Sequence, residues 1–203
     1  MIIGIDFDNT IIKYDNVFGQ VAYKKKIIND VNLKTKNQVK NFLISVGREK
    51  DWTKLQGIVY GSHIMEAKPY EGFLLILRNL LKSNHTIKII SHKTKYPFIG
   101  PQVNLRDSAM LWLKNNNIVG VGAGKIPKNE VFFCDTINTK IKMIQNQKCE
   151  TFIDDLGVVL DGIDPKLNRI LFAPDSEKTN SNFLVLTNWR NVENLLNGFS
   201  SNA

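Results

Sequence analysis

Two acids one residue apart, Asp6 and Asp8, stand where an apolar run ends. Ile2, Ile3, Ile5 and Phe7 give that run the β-branched and aromatic make-up of a buried strand. Asp8-Asn9-Thr10 then breaks it, so two carboxylates and a hydroxyl gather where a strand turns. An acid inside such a run is costly to bury unless a cation or hydrogen bonds compensate it. Local turn bonding accounts for Asp8 and Asn9, but not for Asp6. A second run, Thr151-Phe152-Ile153, ends in another acidic pair, Asp154-Asp155. Adjacent carboxylates repel unless a cation is near. With Asp6 and Asp8 they compose an all-oxygen donor set, which suits magnesium held by a few carboxylates, water and substrate phosphate.

Two more strand ends complement the acids. The run Thr86 to Ile90 ends in Ser91-His92-Lys93-Thr94, supplying a small hydroxyl, a backbone N–H and a cation for the oxygens of a phosphoryl group. His92 sits beside that site, where positioning is at least as good a role as acid–base work. The run Glu130 to Cys134 leads through Asp135–Thr139 into a helix from about Lys140 to Gln147. Lys140 or Lys142 could neutralise a carboxylate and a phosphoryl oxygen together, and the preceding loop favours Lys140. Arg48, with Lys50, Lys54 and Lys68, is a cation able to face a bound anion, although a solvated surface is the usual place for any one of them.

Short apolar runs alternate with helical stretches, which predicts an α/β fold with a central parallel sheet and helices on both faces. After the opening strand, 15–20 reads as a loop, and helices are expected over 21–30, within 34–50 as far as Gly47, over 72–81 and over 104–116. Strands are expected over 86–90, 130–134, 151–153, 169–173 and 184–186. A turn over 162–165 takes in Asp164 and accounts for Asp161. A polar loop over 174–182, a closing helix over 189–196 and a tail over 199–203 complete the chain. Residues 15–66 lack clean alternation and read as a small, mostly helical insertion, leaving 1–14 and 67–203 as the core. Gly120, Gly122 and Gly124 lack the spacing and following hydroxyl of a phosphate-binding loop.

The 203 residues suit one domain with an appendage. Net charge +8 points to anionic company, but the lysines are scattered and no long stretch interleaves basic with aromatic residues, so nucleic acid does not fit well. No apolar stretch is long enough to span a membrane, and the first residues do not read as a basic leader followed by an apolar stretch and a small-residue cleavage site. Cys134 and Cys149 form no metal-type or disulfide pattern. A soluble cytoplasmic protein is expected; the number of subunits is left open.

Asp6-Phe7-Asp8-Asn9-Thr10 resembles the first signature of the haloacid dehalogenase-like (HAD) superfamily of phosphotransferases. Ser91 resembles its second signature, Lys140 its third and Asp154-Asp155 its fourth, in the family's order over about residues 1–160. The fourth lacks the commoner preceding glycine and later aspartate. Gly47-Arg48-Glu49, Tyr60-Gly61 and Ser91-His92-Lys93-Thr94 also resemble a small uncharacterised group associated with bacterial surface polysaccharide genes.

The resemblance implies a HAD-like Rossmannoid core with a small helical cap inserted after the first strand. It implies Asp6 as nucleophile and Asp8 as general acid and base, with Thr10 steadying the loop. Ser91 would bind a phosphate oxygen and Lys140 would offset charge around Asp6. Asp6, the Asp8 carbonyl, Asp155 and, directly or through water, Asp154 would hold magnesium. Asp8 suits phosphoryl transfer, whose leaving oxygen needs a proton, better than dehalogenation. The expected substrate is a small phosphorylated metabolite, sugar phosphate or nucleotide, chosen by the cap. The alternatives are a 5'(3')-nucleotidase-like or polynucleotide phosphatase, or a noncatalytic phosphate-binding protein with the same fold.

Overall fold

The computed structural model describes residues 1–174 and 182–200, with side chains to Gly198. From the amino end the elements are β1 (Ile2–Ile5), β2 (Ile12–Lys13), α1 (Val17–Lys24), α2 (Lys36–Ser45), α3 (Glu49–Tyr60), β3 (Lys68–Pro69), α4 (Phe73–Lys82) and β4 (Thr86–His92). There follow α5 (Leu105–Asn115), β5 (Val131–Cys134), α6 (Ile137–Asn146), β6 (Thr151–Asp154), α7 (Gly157–Gly162), β7 (Asn168–Phe172), β8 (Leu184–Leu186) and α8 (Val192–Ser200). The chain divides into two compact units, one of Met1–Ile12, Pro69–His92 and the chain from Asn116, the other of Lys13–Lys68 and Lys93–Asn115. The second unit takes in residues 15–66 and also α5 with the loop before it.

In the first unit six strands pair in the order β5-β4-β1-β6-β7-β8, and every pairing is parallel. This is the Rossmannoid α/β core that the alternating runs predict. Side chains alternate between the faces of the sheet. Ile3, Ile5, Ile89, Ile153 and Ile170 are buried on one face. On that side Phe73 of α4 stacks edge-on against Trp189 at 4.9 Å, and Trp189 meets Phe172 at 5.4 Å. Ile90 and Phe152 point to the other face and pack with Ile144 of α6 and with Val159 and Leu160 of α7. Each such buried side chain contributes roughly 1.5–3 kcal/mol.

Gly4 belongs to this second face. A Cβ there would stand 2.5 Å from Phe152 Cδ2 and 2.9 Å from Cys149 Sγ, so the missing side chain is what lets the Phe152 ring lie across β1.

In the second unit α1, α2 and α3 pack on one another around Val17, Phe18, Val21, Val39, Leu43, Leu55 and Val59. Tyr14, Phe18, Trp52 and Tyr60 form a ring cluster with successive centroids 5.0–6.0 Å apart. Thr35 and Gln38 close a capping box at the start of α2, and Gly47 at φ 69° follows its end.

Several elements differ from expectation. Helix α1 begins at Val17, within the expected loop, because Val17, Phe18, Val21 and Ala22 make one buried face. Helix α6 begins at Ile137, one turn early, because Thr136 caps it. Gly157–Gly162 is a short helix carrying Asp161, which no start signal announces. Helix α8 continues to Ser200, into the expected tail. Of the expected polar loop, 175–181 lies outside the described residues, as does 201–203. Among the described residues, no helix is long and apolar enough to cross a membrane.

Candidate active site

Strand register brings the first two acids together. Ile5 pairs with Ile153, and the Asp6 N–H continues the ladder by donating to Ile153 O at 2.9 Å. Asp6 and Asp154 thus lie side by side at the carboxyl end of the sheet, 4% and 0% exposed. They share the face of Gly4 and Phe152, over which α6 packs. Thr136 Oγ1 accepts from the Thr139 N–H and Thr139 Oγ1 accepts from the Thr136 N–H, at 3.1 and 3.0 Å. That box sets the first turn of α6 and delivers Lys140 to the acids.

Lys140 is 1% exposed, and its Nζ donates to Asp6 Oδ1 and to Asp154 Oδ2, each at 2.6 Å. The ammonium also stands 5.5 Å from the Phe152 ring centroid, within cation–π range. Lys142, the competing lysine, is exposed. Burial alone would lower the Lys140 pKa, but the charges and hydrogen bonds of Asp6 and Asp154 outweigh it and hold the ammonium above its ordinary value. Asp154 is pushed up to about 6, first by burial and then by the Asp6 charge, with Lys140 and the Leu156 N–H opposing. That N–H donates to Asp154 Oδ1 at 3.0 Å. One ammonium between two carboxylates leaves the buried group short of positive charge.

Asp155 adds a third acid. Asp6, Asp154 and Asp155 each bring a carboxylate oxygen within 4.8 Å of the others, a cluster able to hold a divalent cation. Its all-oxygen donors and charge deficit fit magnesium. The Asp8 carboxylate does not belong to this group; the contact expected of Asp8 is by its backbone carbonyl.

The turn after β1 is closed by its own backbone, with the Ile11 and Ile12 N–H groups donating to Phe7 O at 3.0 and 3.1 Å. Thr10 Oγ1 and Ser91 Oγ are buried and have no hydrogen-bond partner among the described residues. A buried hydroxyl without a partner is costly, and Ser91 carries its hydroxyl near the carboxyl end of β4. His92 is exposed, and its Nε2 donates to Asp135 O at 3.0 Å, tying the ends of β4 and β5. Arg48 belongs to the second unit, where its Nε donates to Asp51 Oδ2 at 2.7 Å.

Two contributors lacked an evident sequence signal. Asn9 Nδ2 donates to Asp155 Oδ2 at 3.1 Å, and Trp189 Nε1 donates to Thr10 O at 3.0 Å. Asn9 reads as an ordinary turn residue, and Trp189 as packing. The only local hint is that asparagine directly after Asp8 favours a left-handed turn.

No protein-family profile matches the chain, and no curated protein does. Solved structures do. A HAD-superfamily hydrolase from Ehrlichia chaffeensis is 15% identical, with 97% of this chain and 95% of that one covered at a TM-score of 0.53. A HAD family hydrolase from Deinococcus radiodurans R1, with bound phosphate and sodium, is 12% identical, with coverage of 97% and 94% and a TM-score of 0.59. A conserved haloacid dehalogenase-like protein of unknown function from Agrobacterium tumefaciens C58 is 12% identical, with 98% of both chains covered and a TM-score of 0.60. At these identities the likeness shows the fold, and the fold is that of HAD-superfamily hydrolases.

Proposed function

We propose that this protein is a magnesium-dependent phosphomonoester hydrolase that works through a phosphorylated Asp6. The observation that carries the reading is the buried bridge of Asp6, Lys140 and Asp154 beside Asp155. A buried ion pair is a poor way to gain stability, whereas a charge-deficient acid cluster at the carboxyl end of a parallel sheet suits ligand chemistry. The HAD-like fold and the unpartnered Ser91 hydroxyl agree with it.

Asp6 attacks phosphorus as Asp8 gives a proton to the departing oxygen. Asp8 then takes a proton from water, which attacks the phosphoryl group and regenerates Asp6. Lys140 orients Asp6 and offsets the charge gathered around it. Ser91 donates to a phosphoryl oxygen, and Thr10 steadies the turn. His92 supports the Ser91 end of β4, and Arg48 is a cation available to the substrate's anionic part. Asp6, Asp155, Asp154 and the Asp8 carbonyl would hold magnesium, which when bound screens nucleophile from phosphoryl group and stabilises the transferring charge.

The substrate we favour is a small phosphorylated metabolite in the cytoplasm, selected by the helical unit containing 15–66. Sugar phosphates and nucleoside monophosphates are the two classes to separate. The narrower resemblance to the group associated with surface polysaccharide genes is part of this reading. The test is phosphate release from a panel of both classes and of small phosphorylated acids, with and without magnesium, beside Asp6→Asn and Asp8→Asn. Magnesium-dependent turnover lost in both variants is expected. Tight magnesium binding with no release across a broad panel would instead favour a noncatalytic phosphate-binding protein.

A further inference from the structure

Asn9 sits at φ 60°, in the left-handed region where a side chain is unfavourable and glycine is the relaxed choice. The turn does not need the asparagine side chain to close. The Asn9 N–H donates to Ile12 O at 3.0 Å, and the Ile11 and Ile12 N–H groups reach Phe7 O. These are backbone bonds that glycine would make equally well. What glycine lacks is the amide, and that amide donates to Asp155 Oδ2 at 3.1 Å.

A donor at that oxygen bears on where the Asp155 carboxylate stands. Its carboxylate has an oxygen within 4.8 Å of oxygens from Asp6 and Asp154, and like charge drives it away from them. It is half-buried where Asp6 and Asp154 are buried. Lys140 donates to Asp6 and Asp154; the Asn9 amide serves Asp155.

We infer that Asn9 is a positioning residue for the metal, holding Asp155 in the rotamer that completes the acid cluster. The inference rests on the reading of Asp6, Asp154 and Asp155 as the magnesium site. Hydrogen-bond partners of metal-ligating carboxylates typically contribute 10–100-fold to metal affinity. The energetic logic is that the left-handed backbone accepts some strain so that an amide, not a hydrogen, stands at position 9.

Asn9→Gly separates the two roles, since it preserves the turn and deletes only the amide. The probe is magnesium alone, titrated calorimetrically and by thermal shift into wild type and variant. Expected are apo melting temperatures that nearly coincide and a magnesium dissociation constant about tenfold weaker in Asn9→Gly. In the wild type, the Asn9 side-chain amide resonances should shift along the same titration curve, which reads the link even if the variant folds poorly. Equal magnesium affinities, or amide resonances that stay still while magnesium binds, would overturn the inference and leave the metal site standing. A wild type that binds no magnesium would overturn both.

Discussion

Lys140 Nζ lies 5.5 Å from the centre of the Phe152 ring, and that ring occupies the space a side chain at position 4 would need. The lysine that bridges Asp6 and Asp154 is therefore braced by an aromatic ring, which is itself admitted by a glycine on the neighbouring strand. A backbone feature of β1 is coupled in this way to the placement of a charged group on α6.

Gly4→Ala should break that chain of support. Its Cβ would meet Phe152 Cδ2 at 2.5 Å and Cε2 at 2.8 Å, so the ring must move and Lys140 with it. Overpacking of this kind costs about 1–3 kcal/mol. Urea denaturation should show the loss, and turnover per folded molecule should fall as well. Unchanged turnover alongside reduced stability would mean that Phe152 does not brace the lysine.

Lys140→Met removes the ammonium and leaves Asp6 and Asp154 buried against each other. Deleting one partner of a buried charge group costs about 3–5 kcal/mol, so the variant should unfold far more easily at neutral pH and lose activity. Magnesium should raise its melting temperature by more than it raises that of the wild type, since a cation there relieves the repulsion. Thermal denaturation with and without magnesium checks both statements.

Ser91→Ala should move stability and activity in opposite directions. Ser91 Oγ is buried without a partner among the described residues, so its loss should leave the apo protein as stable or about 1 kcal/mol more so. A hydrogen bond to a charged phosphoryl oxygen is worth about 1.5–3 kcal/mol, so kcat/KM should fall at least about tenfold. Chemical denaturation and steady-state kinetics on the same preparation decide it.

Cys149 makes a pH prediction away from the acids. Burial comes first among the causes that push its thiol up to about 11, with Lys88 opposing and Glu130 adding. The folded state keeps this proton at pH values where the unfolded thiol has lost it. Stability should therefore fall between about pH 9 and 11, by up to roughly 2–3 kcal/mol. Cys149→Ala should show a shallower slope than wild type over that window in denaturation series, and native Cys149 should alkylate slowly at pH 8.

The acids and their order were legible because the signal is local. Asp6 interrupts a β-branched run, Asp154-Asp155 ends another, and Ser91 closes a third; each is visible within ten residues of chain. The alternation of short runs with helices likewise implied a parallel sheet, since parallel strands need crossovers. Burial decided between Lys140 and Lys142. Both lie on the same helix, but only Lys140 lies on the side facing the sheet, where the Thr136 cap starts the helix one turn earlier than expected. The reach of the second unit beyond residue 66, to include 93–115, follows from packing between segments far apart in sequence.

By itself, then, the sequence determined which residue types end which strands, because strand and turn preferences act over a few neighbours. Only the tertiary structure decided which of those ends meet. Asp6 reaches Asp154 because β1 pairs with β6 in one register, and Asn9 reaches Asp155 because the left-handed turn after β1 lies beside the end of that strand. Strand order and register are fixed by hydrogen bonds and burial between distant segments, and a one-residue slip would turn each acid to the opposite face.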